Sequence, residues 1–121
     1  MPRIHANWDE VAAGTLIPEG RYPARIDKVE ERTSSAGNEY WNVEFTIIDG
    51  EYEGRKLWGV FMLSPQALWK LRALAQACGL DLSGERELDS EELVGQEVGI
   101  VVTTEEYDGQ TRNRVNQFFA L

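Results

Sequence analysis

Residues Tyr40 to Ile47 alternate strictly between apolar and polar side chains. Trp41, Val43, Phe45 and Ile47 share one parity, and Tyr40, Asn42, Glu44 and Thr46 share the other. Successive side chains of a strand point to opposite sheet faces, so this run predicts a half-buried strand. Asp49-Gly50 breaks it, Gly54 adds a second flexible point, and Arg55 to Leu63 resumes an extended pattern. The two runs predict an antiparallel pair with a loop of about five residues. One face of the pair suits a core. The other carries Tyr40, Asn42, Thr46 and Trp58 and is the candidate binding face.

The remaining segments supply three more strands and one main helix. Arg21 to Glu31 reads as the first strand, with Tyr22, Ala24 and Ile26 on one face and Arg21, Arg25 and Asp27 on the other. Its pattern slips near Lys28-Val29, which predicts a bulge. Ser64-Pro65 predicts a helix start, with Ser as the cap and Pro at the first helical position. Leu68, Leu71, Leu74, Ala75 and Cys78 would form its buried stripe, and Gly79 its left-handed stop. Ser90 to Leu93 suggests a short turn. Val98 to Thr104 and Arg112 to Phe119 read as two strands joined at Asp108-Gly109, a strong hairpin signal. Asn7 to Ala13 reads as a capped helical turn within an N-terminal extension over residues 1–19. The order of three strands, helix and two strands is that of the OB-fold. The predicted class is therefore all-β with one main helix: a five-stranded Greek-key barrel, with the helix between strands three and four. The helix position argues against an SH3-like barrel.

A chain of 121 residues fits one domain, here 1–121. No apolar run approaches the ~18 residues of a membrane span. Met1 to Glu10 lacks the apolar segment of a signal peptide, and the expected location is the cytoplasm. With His5 and Cys78 the only residues of their kinds, neither a zinc set nor Cys/His catalysis can be assembled. The glycines are spaced for turns, not for a phosphate loop. No catalytic residues, metal or cofactor are expected, and the chain does not read as an enzyme.

The net charge of −9 looks hostile to nucleic acid until its distribution is considered. Ten acids fall between Asp81 and Asp108 against Arg86 alone, which leaves eleven acids and eleven bases elsewhere. With a Debye length of about 8 Å, an acidic pole on one side does not prevent anion binding on another. Single strands are held by bases that follow the phosphates and by rings on which nucleobases stack. On an OB barrel that groove crosses strands two and three. The residues expected there are Arg21 and Arg25 from strand one, Tyr40 and Asn42 from strand two, and Arg55, Lys56 and Trp58 from strand three. Arg112 and Arg114 join them from strand five. Each taken alone could be an ordinary surface charge or barrel-rim ring; their co-location is what points to binding.

Gly20-x-Tyr22-x-Ala24-x-Ile26, Gly37-Asn38-x-Tyr40, and Phe45-x-Ile47-x-Asp49-Gly50-x-Tyr52-x-Gly54-Arg55-x-Leu57-Trp58 carry a resemblance. With Leu93-Val94-Gly95, Asp108-Gly109 and Asn113-x-Val115, this pattern resembles a family of small phage-encoded single-stranded-DNA-binding proteins. The resemblance covers roughly residues 16–119 and implies an OB-fold protein that coats single strands in phage replication or recombination. The implied partners are single-stranded DNA and phage or host replication and recombination proteins, in the cytoplasm of the host cell and without a membrane. Many proteins of that role recruit partners through an acidic C-terminal tail. This chain instead ends Phe118-Phe119-Ala120-Leu121, and its acidic segment between Asp81 and Asp108 is the candidate substitute. The second function class left open is a protein-interaction module with the aromatic face as a dry interface. Oligomeric state stays open, a dimer included.

Overall fold

The computed structural model describes Arg3 and residues 16–82, 84, 87–107 and 109–121. The helical turn expected from Asn7 lies outside these residues, as does Asp108. Five strands form one antiparallel sheet: β1 (Gly20–Thr33), β2 (Glu39–Ile47), β3 (Lys56–Met62), β4 (Glu97–Tyr107) and β5 (Gln110–Phe119). The helix α1 (Leu68–Ala77) lies between β3 and β4 in the chain. The sheet order is β3-β2-β1-β4-β5, so β3 and β5 are its two edges.

Alternation decides which way each strand faces. On β2, Trp41, Val43, Phe45 and Ile47 are all buried. Their cross-strand neighbours, Val29, Ile26 and Ala24 on β1 and Phe61, Gly59 and Leu57 on β3, continue the same inner face. Val98, Ile100 and Val102 of β4 and Val115 of β5 complete the sheet's share of the core. Two register shifts then bend the sheet. One falls between Ile26 and Lys28 in β1, close to the expected bulge. The other lies opposite Val101 and Val102, where Asn116 is the extra residue on β5. Bulges increase local twist and bend the strand that carries them. The five strands thus curl into a half-barrel. Phe118 of β5 reaches across the opening, its ring 6.0 Å from Phe45 and 5.6 Å from Phe61.

α1 packs on β5 and β3 through Leu71, Leu74 and Ala75. Its start differs from expectation. Ser64 to Ala67 form a separate turn, in which the Ser64 carbonyl accepts from the Ala67 and Leu68 amides, and no side chain caps the helix. Leu68 is 41% exposed rather than part of the buried stripe, because the helix begins there and its buried arc opens only at Leu71. The stop is as expected. Gly79 has φ 92°, its amide donates to Gln76 O, and the Leu80 amide donates to Ala75 O. Cys78 packs at the core margin, and burial pushes its thiol up to about 11, which leaves it protonated and inert at neutral pH. A 3-10 turn at Ser90–Glu92 carries a capping box between Asp89 and Glu92. The connection between β2 and β3 is longer than the loop expected, since β3 begins only at Lys56. Among the described residues, no helix is long and apolar enough to cross a membrane.

One side chain ties the incoming chain to the far edge of the sheet. Asn113 on β5 accepts from the Ile17 amide at 3.0 Å and donates to the Ile17 carbonyl at 3.0 Å. Ile17 itself is buried. Removing one partner from a buried hydrogen bond costs about 1–3 kcal/mol per stranded group. Asn113→Ala should therefore lower the denaturant midpoint by an amount corresponding to about 1–3 kcal/mol. An unchanged midpoint would show that Ile17 is held by packing alone.

Candidate nucleic-acid interface

The outer face of β1, β2 and β3 is built in cross-strand rows. Register places Arg32, Tyr40 and Met62 in one row, Glu30, Asn42 and Val60 in the next, then Lys28, Glu44 and Trp58, then Arg25, Thr46 and Lys56. Burial of Phe61 and packing of Leu57 and Leu63 against the core put Trp58 on the outer side of β3. Arg25, Tyr40, Asn42, Lys56 and Trp58 are thus brought onto one face. Tyr40 and Arg32 also line a depression of about 320 Å³ at the β1–β2 end, together with Glu31, Glu39, Trp41 and Leu63.

The other expected site residues lie elsewhere. Arg55 precedes β3 and has the parity of Leu57, so it is out of step with Lys56 and Trp58; its side chain is half-buried. Arg21 lies toward β4, its guanidinium 5.3 Å from the Phe119 ring centre. Phe119 in turn covers Gly99, where an added Cβ would come within 2.2 Å of the ring. Arg112 and Arg114 share a face of β5, but β5 is the opposite edge of the sheet. Arg114 pairs with Glu105 across the hairpin at 3.4 Å. An exposed pair of that kind is worth a few tenths of a kcal/mol to about 1 kcal/mol.

The outer face of β1 and β2 is a charge mosaic rather than a basic track. Arg25 Nε donates to Asp27 at 2.7 Å, and Lys28 and Arg32 both pair with Glu30. Lys56 Nζ lies 3.6 Å from Asp27 and 3.5 Å from Glu44, and Thr46 donates its hydroxyl to Asp27. Burial pushes the Asp27 carboxyl up, but hydrogen bonds from Arg25 and Thr46 and the charges of Arg25 and Lys56 outweigh it. They hold Asp27 below the ordinary carboxylate range. Hydrogen bonds from Lys28 and Arg32 do the same for Glu30. Beyond Trp41 a second depression is rimmed by Glu31, Glu87, Asp89 and Glu92, which disfavours a polyanion there.

A further ring stands out on the surface. Trp69 of α1 is 65% exposed, while Trp41 is buried. Sequence pattern hides it, because it sits among the leucines of an amphipathic helix. The available signal is charge: Arg55 to Leu80 holds four bases and no acid in a chain with 21 acids. That run is β3 and α1. Among the described residues, no group of three or more His, Cys, Asp or Glu side chains could hold a metal ion.

Fold and face together define a small half-barrel β-protein with a solvent-open aromatic and charged sheet surface. A family model described as "Protein of unknown function (DUF669)" matches residues 5–120, and the chain belongs to that family. A search of curated proteins finds no match.

The Asp27 cluster has a pH signature. A carboxylate whose folded pKa is depressed stabilises the fold fully above its unfolded pKa, about 3.9, and loses that contribution as pH falls through the folded value. Asp27→Asn should therefore lower stability at pH 7 and flatten the decline below about pH 4. Urea midpoints of both proteins at neutral and acid pH measure this. Parallel pH profiles would assign the acid limb to other carboxylates.

Proposed function

We propose that this chain is an OB-fold protein that binds single-stranded DNA without sequence preference, across the outer face of β2 and β3. The strand order supports the fold assignment. β3-β2-β1-β4-β5, with a helix after β3 and β5 curling back toward β3, is consistent with an OB barrel opened between strands three and five. The observation that carries the function is the presentation of Tyr40 and Trp58 on one outer face with Lys56, on a sheet whose apolar needs are met on its other side. Rings that stack on any base and cations that follow any backbone give affinity without base readout. On the resemblance in sequence, the setting is phage DNA replication or recombination.

The internal pairing of Arg25, Lys28, Arg32 and Lys56 favours a second reading, an interaction module for another protein. The same experiment separates the two. Titration of labelled oligothymidine should give micromolar or tighter binding, little affinity for duplex, and a log–log salt slope of about −0.7 per phosphate neutralised, the value for single strands. Tyr40→Ala and Trp58→Ala should each cost about 1–3 kcal/mol of binding with the fold intact. With a short oligothymidine, Arg112→Ala with Arg114→Ala should leave the salt slope unchanged, since both lie on the other edge of the sheet. Salt-independent binding, or a preference for duplex, would reject the single-strand reading. A slope shallower by about 1.4 in the double variant would extend the site to β5.

A further inference from the structure

The first turn of α1 is held against the edge of β3. Lys70 Nζ donates to the Val60 carbonyl at 2.8 Å and lies 4.8 Å from the Phe61 ring centre, which anchors the turn on the free edge of β3. Val60 is 43% exposed on that outer face, one step along from Trp58. Beyond it, Leu68 and Trp69 are exposed, and Arg72 shares the Trp69 side of the helix at a spacing of three. Trp69 therefore stands close to the β3 edge, in a stretch of chain that contributes no acid from Arg55 to Leu80. Arg25, Lys28 and Arg32 of β1 and Lys56 of β3 each have a carboxylate beside them, whereas Lys70 is held by a backbone carbonyl and a ring.

Building on the single-strand reading above, we propose that a bound strand runs past the β3 edge onto α1. Trp69 serves as a further stacking platform, and Lys70 and Arg72 as phosphate contacts. Charge favours a polyanion over a second protein. Burial and the nearby Arg114 both disfavour the charged form of Lys70, so two like charges lie near each other in the free protein. A phosphate between them would relieve that repulsion, although Glu105 already offsets Arg114 in part. An apolar protein surface would bury the same cations without compensation.

The test uses oligothymidines of about five and about fifteen nucleotides, spanning the usual range for one OB-fold. Trp69→Ala should weaken binding of the longer strand about fivefold or more and leave the shorter one unchanged, while Trp69→Phe retains binding. Its high exposure means that the folded state should survive, which circular dichroism checks. If Trp58→Ala weakens binding and Trp69→Ala does not, the extension onto α1 is wrong and the sheet site stands. If the wild-type protein binds neither strand, the single-strand reading itself fails and takes this inference with it. If Trp69→Ala instead abolishes self-association in sedimentation and spares DNA binding, the patch is a protein interface and the inference is overturned.

Discussion

The inward facing of Trp41, Val43, Phe45 and Ile47 is the constraint on which the rest of the molecule depends. These side chains pack against Ile26, Phe61 and Ile100 within one core, and β2 is bonded on both sides, to β1 and β3. A slip of one residue would turn all four toward water and bury Asn42 and Glu44. At about 1.5–3 kcal/mol for each large apolar side chain removed from water, the register is strongly specified. The outer face is therefore fixed as a consequence. Tyr40, Asn42 and Trp58 face outward because their neighbours cannot.

Curvature comes from the two bulges, and it gives the sheet an asymmetric surface. At the β1 bulge, Asp27 is freed from the ladder and gathers Arg25, Thr46 and Lys56 around one carboxylate. At the β5 bulge, the strand is re-aimed so that Phe118 faces inward and stacks on Phe45 and Phe61. The curl brings β5 alongside β3 and seats α1 against both. The outer face of β1, together with Lys56 of β3, is thus internally neutralised, while the stretch from Arg55 to Leu80 contributes no acid of its own.

Much of this was legible in the chain. The facing of β2 follows from alternation alone. On β3 both parities are apolar, Leu57, Phe61 and Leu63 against Trp58, Val60 and Met62, so alternation leaves its facing open, and the burial of Phe61 sets Trp58 outside. Asp108-Gly109 located the β4–β5 hairpin, because a tight hairpin needs such residues whatever surrounds it. The beginning of α1 was not legible. Ser64-Pro65 satisfies local capping rules, yet tertiary packing sets where the buried arc starts, so Leu68 is exposed despite its helical spacing from Leu71. Non-local pairing was invisible for a similar reason. The Lys56–Asp27 contact crosses β2 and exists only because the bulge turns Asp27 toward it. Arg55 looked like a partner of Lys56, but adjacent residues on an extended chain face opposite ways.

The most direct test of the account is the response of the tryptophan indole N–H signals to oligothymidine in a two-dimensional NMR titration. Trp58 and Trp69 are on the proposed path, and Trp41 is in the core beside an acidic rim. The account predicts large, saturable shifts of the Trp58 and Trp69 signals, accompanied by amides of β2, β3 and the first turn of α1, with Trp41 nearly still. Shifts confined to Trp41 and the acidic rim, or no shifts at all, would contradict it.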